Sequence, residues 1–236
     1  MSTEATRTGE RIDRGFAGYV LAGGHSSRFG SPKAAADYDG RTFAEACCDR
    51  LRAAGAGAVL LVVNRETPAV QAKVAKPFEG VLQDADSGGE RHPVFGLLAA
   101  VEDASGRGVG AAVAAVDQPF LQPSWWTRLM GMAVEIGRPV CFRGTDGRIC
   151  PLPLVVPADQ TVATAKVIST AMQTTGGRLP SMRSLHAQLS GHVLPPPEAW
   201  PAAGSLNRPD DVAVVRGQVE TTGARLGNPD RDCDKP

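Results

Sequence analysis

The chain has 236 residues, 42% hydrophobic and 21% charged, with 25 Lys and Arg against 25 Asp and Glu. That length and apolar content suit one large α/β domain with a sizeable core. A net charge of zero argues against a broad nucleic-acid or membrane-surface binder, which carries a basic excess.

No stretch is long and apolar enough to be read as a membrane span. The opening MSTEATRTGERIDRG is polar, without the apolar region of a secretory signal, and reads as a disordered lead-in over 1–15. Cys47, Cys48, Cys141, Cys150 and Cys233 are odd in number and form no Cys-x-x-Cys. Reduced thiols in a cytoplasmic protein are therefore expected rather than a zinc site or a disulfide framework.

The first predicted element is a strand over 16–22, FAGYVLA, stopped by Gly23 and Gly24. A helix over 42–55 follows, with Thr42 and Glu45 spaced as a capping box. The β-branched run AVLLVVN, 58–64, reads as a strand buried on both faces. A short helix over 67–76, a strand GVLQD (80–84), a helix over 93–104 and a strand AAVAAVD (111–117) continue the alternation. A helix over 123–137 and a strand PVCF (139–142) complete it. Alternating strands and helices predict a Rossmann-like, doubly wound, mostly parallel sheet in a single domain over 16–216.

The second part is less regular. GRICPLPLVVP, 147–157, reads as a strand that its prolines make an edge or outlying one. Helices over 161–173 and 179–190, a strand HVL (192–194), a proline-rich connector (195–204) and a helix from 205 follow, with a disordered tail over 217–236. His25, His92, His186 and His192 are too scattered for a ligand set and are expected on the surface or in loops. Of Trp125 and Trp126, one is expected to pack and one to be exposed.

The phrase VLAGGHSSRFGSPK carries the chemistry. Gly23 and Gly24 let a phosphate approach backbone N–H groups, and Arg28 and Lys33 add cationic donors. Asp117 ends an apolar strand at the edge where such sheets bind ligands. On spacing alone, a Mg²⁺ ligand and a turn acid before Pro119 are equal readings of it. Asn64 and Asp84 end two further strands, and Asp86 competes with Asp84.

The whole phrase, Leu-Ala-Gly-Gly-x-Ser-x-Arg-x-Gly-x-x-Lys, resembles the signature of the molybdenum cofactor guanylyltransferases. Further resemblances follow in family order over roughly residues 17 to 215. They are RHPVFGLLAAV (91–101), VDQPFL (116–121), GRICPLPLVV, LPSMRSLHAQL and LNRPDDV (206–212). Pro93 and Gly96 match the family's Gly-Pro-Leu-Ala-Gly helix start, while His92 and Phe95 depart from it. Asn207, Pro209 and Asp211 match its closing motif, with Arg208 in place of Thr.

The resemblance implies transfer of GMP from GTP to the phosphate of molybdenum-loaded molybdopterin, with release of pyrophosphate. It makes Arg28, Lys33 and Asp117 catalytic, with Mg²⁺ on Asp117. It assigns Leu21, Ala22, Gly23, Gly24, Lys33, Asp84 and Asp117 to the nucleotide, with the amides of 22–24 on the phosphates. Arg183 and Asn207 fall to the acceptor, although a solvated helix face is the plainer reading of Arg183. Hand-over to molybdenum cofactor insertion proteins is implied as well.

No general base is required, because a phosphomonoester is mostly dianionic at neutral pH. Two alternatives stand. Pro32, where guanylyltransferases commonly carry Asp, points toward a cytidylyl or other nucleotidyl transfer. A GTP-binding accessory protein without turnover is the other.

Overall fold

The structure, a computed structural model, describes residues 15–23, 32–64, 74, 76–84, 92–174, 179–198, 200–201 and 204–215. The strands are β1 (Phe16–Leu21), β2 (Asp37–Tyr38), β3 (Arg41–Thr42), β4 (Ala58–Val63), β5 (Gly80–Gln83), β6 (Gly110–Ala115), β7 (Val140–Arg143), β8 (Ile149–Val156) and β9 (His192–Leu194). The helices are α1 (Phe43–Ala53), α2 (Pro93–Arg107), α3 (Pro123–Ile136), α4 (Thr161–Thr174), α5 (Met182–Gln188) and α6 (209–215). Short 3₁₀ turns lie at Lys33–Ala35 and Ala158–Gln160. The helix predicted over 67–76 lies outside the described residues, save Val74 and Lys76.

Seven strands form one sheet in the order β5-β4-β1-β6-β8-β7-β9. β5, β4, β1 and β6 run parallel, β8 runs against both neighbours, and β9 is parallel to β7. Side chains of a strand alternate between faces, so each strand feeds two cores. Val20, Leu61 and Ala112 join Leu51 of α1 and Leu129 of α3 on one face. Tyr19, Leu60 and Val113 join Leu97 of α2, Ile168 of α4 and Leu185 of α5 on the other. Both faces are thus covered, as a mostly parallel sheet requires.

Local signals set several ends. Thr42 accepts from the Glu45 amide while the Glu45 carboxylate accepts from the Thr42 amide, closing the capping box of α1. His92 caps α2, its Nδ1 accepting from the Val94 amide, with Pro93 in the first turn. A side chain outside the family's motif thus does an ordinary helix-starting job.

Two expectations are corrected. β8 is not at an edge but lies between β6 and β7. Its prolines, Pro151 and Pro153, both precede the stretch paired with β6, which begins at Leu154. The missing proline N–H groups therefore fall outside that ladder. His186 is not on the surface: it is 3% exposed, with its Nε2 3.1 Å from the Cys141 sulfur. Burial holds its pKa below the ordinary value. Of the tryptophans, Trp126 is buried and Trp125 is half-buried, stacked on Trp200 at 5.6 Å.

Candidate nucleotide site

β1 is flanked by β4, next in the parallel series, on one side and by β6 on the other. The chain winds outward in both directions from this strand. Its carboxyl end is therefore the switch point where sheets of this kind open a crevice. Those of the predicted residues that are described gather there in two groups, with Arg183 at the cavity beside them.

The first group lies over β1, β4 and β5. Asn64 Nδ2 donates to the Gly23 carbonyl at 3.0 Å. A Cβ on Gly23 would sit 3.3 Å from the Asn64 amide nitrogen and 3.6 Å from the Asp84 carboxylate. A side chain here would crowd the Asn64 backbone, so the glycine suits the close approach of Asn64 and Asp84 to the start of the loop. The Asp84 amide donates to Val63 O at 2.9 Å, fixing that acid to the end of β4. One expectation is corrected here: the Ala22 N–H donates to Val62 O at 2.8 Å, so it is held in the sheet rather than offered to a phosphate. Leu21 closes β1, its carbonyl accepting from the Val116 amide at 3.2 Å. Gly24, Arg28 and Asp86 lie outside the described residues.

The second group lies over β6. Lys33, on the 3₁₀ turn, places Nζ 3.3 Å from Asp117 Oδ2 and 2.9 Å from Asn207 Oδ1. These residues are separated by 84 and 174 positions in sequence, so the meeting is a product of the fold. Asp117 O accepts from the Leu206 amide at 2.8 Å, and Asp211 accepts from the amides of Asn207 and Arg208. Asn207 is thereby held by the Asp211 carboxylate and by the bond of its neighbour Leu206 to the Asp117 carbonyl.

Burial raises the Asp117 carboxyl above its ordinary pKa, against the pull of Lys33. Its side chain nonetheless keeps 25% exposure, within reach of a ligand. Among the described residues no cluster of three His, Cys, Asp or Glu gathers. Mg²⁺ does not require one, because one or two carboxylates and substrate phosphates suffice. A desolvated carboxylate facing a cation is a hard oxygen donor of that kind, and Asp117 fits the role.

Beside Asp117 opens a cavity of ≈ 300 Å³, lined among others by Gln118, Arg148, Cys150, Arg183 and Trp200. Arg183 lines this space, its Nε donating to Ile149 O at 3.1 Å, and the residue remains exposed, as a solvated helix face would be. Burial pushes the Cys150 thiol up to about 11, which leaves it protonated at neutral pH and a poor nucleophile. The sequence reading missed Gln118 and Trp200. Gln118 had one signal, a polar residue wedged between the strand-ending Asp117 and Pro119, but its partners are far along the chain. Trp200 sits in a proline-rich connector, where nothing local says that it is buried.

Comparison with known proteins agrees with this fold. The model of the MobA-like NTP transferase domain matches residues 18–191. A probable molybdenum cofactor guanylyltransferase of Opitutus terrae is 32% identical over 196 residues, covering 83% of this chain and 92% of that protein. Two solved structures share the fold. The molybdopterin-guanine dinucleotide biosynthesis protein A of Archaeoglobus fulgidus superposes with a TM-score of 0.64 at 17% identity, covering 87% and 99% of the two chains. Rv0371c of Mycobacterium tuberculosis H37Rv does so with a TM-score of 0.59 at 23% identity, covering 85% and 96%.

Proposed function

The chain belongs to the MobA-like NTP transferase family and is a nucleotidyltransferase, and from that premise we propose that it moves GMP from GTP to the phosphate of molybdopterin. The observation that carries this reading is the convergence of Lys33, Asp117 and Asn207 at the switch point, beside a cavity lined by two arginines. The nucleotide lies along the crevice from Gly23 toward Lys33, with Asn64 and Asp84 toward its base and ribose. The acceptor fills the cavity, its phosphate drawn by Arg183 and Arg148 and reaching the α-phosphorus near Asn207.

An acceptor phosphate oxygen forms the new bond to the α-phosphorus. The bond from that phosphorus to the bridging oxygen of the β-phosphate breaks, and pyrophosphate leaves. The attacking oxygen is already anionic, so no side chain removes a proton. Catalysis is positioning and charge stabilisation. Lys33, Arg28 and the amides of Gly23 and Gly24 take the negative charge of the triphosphate and of the departing pyrophosphate. When bound, Mg²⁺ neutralises phosphate charge; Asp117 is the residue that would hold it.

Pyrophosphate release tests this, with Mg²⁺ and molybdopterin and with GTP, CTP or ATP, in the wild type and in Asp117→Ala. The reading predicts release with GTP, reduced about 10²–10³-fold by the substitution, as when one preorganised charge partner is removed. Release with CTP in preference to GTP would move the chain to cytidylyl transfer. GTP binding with no release would contradict turnover altogether.

A further inference from the structure

Gln118 is 3% exposed and lies next to Asp117 in the chain. Its Nε2 donates to Leu152 O and to Gly204 O, each at 2.9 Å. These two carbonyls belong to segments far apart in the chain that line the same cavity. Leu152 lies on β8 just before its ladder with β6 begins, and Pro151 and Pro153 on either side of it have no N–H to offer a neighbour. Gly204 ends the proline-rich connector with φ +61°, a left-handed turn that favours glycine. The chain then runs through Leu206, whose amide donates to Asp117 O, to Asn207, whose Oδ1 accepts from Lys33.

One amide therefore ties three segments into a single corner of the site, and both its N–H groups are used. Among the described residues its Oε1 has no hydrogen-bond partner, and it is buried. A buried amide whose oxygen is left unpaired is costly, so the residue is poorly explained as a stabiliser of the fold. A residue that exists to place its neighbours tolerates that cost.

The geometry points to Gln118 as a positioning residue. It holds the 204–207 segment against Asp117, so that Asn207 fixes the Lys33 ammonium where the phosphates bind. It acts through Asn207 and touches no reacting atom. This rests on the proposed GMP transfer for its kinetic consequence, but not for its structural one.

The test is a double-mutant cycle in the full chain, Gln118→Met and Asn207→Ala, singly and together. It is read as kcat and KM for GTP, with hydrogen exchange of the 204–207 amides measured in parallel. Gln118→Met lowers kcat roughly 10- to 100-fold, as expected when a catalytic group is misplaced, and leaves KM for GTP within about twofold. In the Asn207→Ala background the same change adds little, because the two losses have one cause. The Leu206 amide exchanges faster in Gln118→Met while those of β1 and β6 do not. Should Gln118→Met fail to fold, Gln118→Asn keeps the amide but shortens its reach, and the same cycle applies. Additive losses, or unchanged exchange at Leu206, overturn the proposal. Should the wild type transfer no nucleotide, the proposed function fails, and the exchange result still decides whether Gln118 holds the segment.

Discussion

At the scale of single residues the site is built against stability. Burial raises the Asp117 carboxyl even with Lys33 at 3.3 Å, so its ionised form is worse off in the folded chain than in water. Asp117→Asn removes that penalty and leaves Asn207 on Lys33. In metal-free buffer at neutral pH the variant is expected to melt no lower than the wild type, and pyrophosphate release to fall about 10²–10³-fold. Circular dichroism melting and the release assay check both halves; a clear drop in Tm would show that the ion pair serves the fold. Lys33→Met is expected to cost a similar factor in kcat, since it removes a charge on which Asp117 and Asn207 converge.

How much of this was legible in the sequence depends on distance along the chain. Gly23 and Lys33 fall in one short phrase after a strand, and Asp117 follows another strand, so both could be placed at the sheet's binding edge from pattern alone. The capping box of α1 needed only Thr42 and Glu45. Asn207 entered only through resemblance, because nothing local says that residue 207 reaches residue 33. Gln118 stayed unread for the same reason, its acceptors being 34 and 86 positions away. The Ala22 amide was misread because a strand's last hydrogen bond depends on its neighbour, here Val62.

At the scale of elements, the sheet's order follows from packing rather than from composition. Prolines made β8 look like an edge strand, yet the ladder that matters begins after them. β2 and β3 are two residues each and carry no periodic signal. The centre of the sheet is tight. A Cβ on Gly110 would fall 2.9 Å from Val156 O, and it would also overlap the Phe16 ring. Gly110→Ala must shift the backbone of β8 or β6 and is expected to destabilise by about 1–3 kcal/mol. Gly110 opens β6 at the end away from Asp117, so kcat should hold below the melting range. Urea unfolding and kinetics on one sample read both.

Trp200 is the apolar counterpart of Gln118. It packs 5.3 Å from Phe142 and 6.1 Å from Phe120, anchoring the connector that leads to Asn207. Trp200→Ala is expected to cost up to about 3–5 kcal/mol. Its kcat should fall with the loss of order in 204–207, which hydrogen exchange would show.

At the scale of the whole molecule, stability acquires a pH dependence far from the chemistry. His186 is buried on α5 against Cys141, whose thiol burial pushes up to about 12, so the pair is neutral at neutral pH. The folded chain holds His186 below its ordinary value, and the unfolded chain titrates near 6.5. Between those two values the unfolded chain binds the extra proton. Stability is therefore full above about 6.5 and is lost as pH falls toward the folded value. His186→Gln, which keeps an acceptor for the thiol, should flatten this part of the profile; an unchanged slope in urea midpoints from pH 7.5 to 5.5 would contradict it.

The two halves of the molecule divide the work. In the proposed function the parallel strands β1, β4 and β5 carry the nucleotide's end of the crevice, while β8 with the connector lines the cavity beside Asp117. The central claim is that this crevice joins the α-phosphate of GTP to an acceptor phosphate. The most direct measurement follows label from GTP, carried in one sample at the α-phosphate and in another at the γ-phosphate, in the presence of molybdopterin and Mg²⁺. The account predicts that the α label appears in a pterin dinucleotide of matching mass and the γ label in pyrophosphate. A γ label on the pterin, or its release as orthophosphate with no dinucleotide formed, would contradict it.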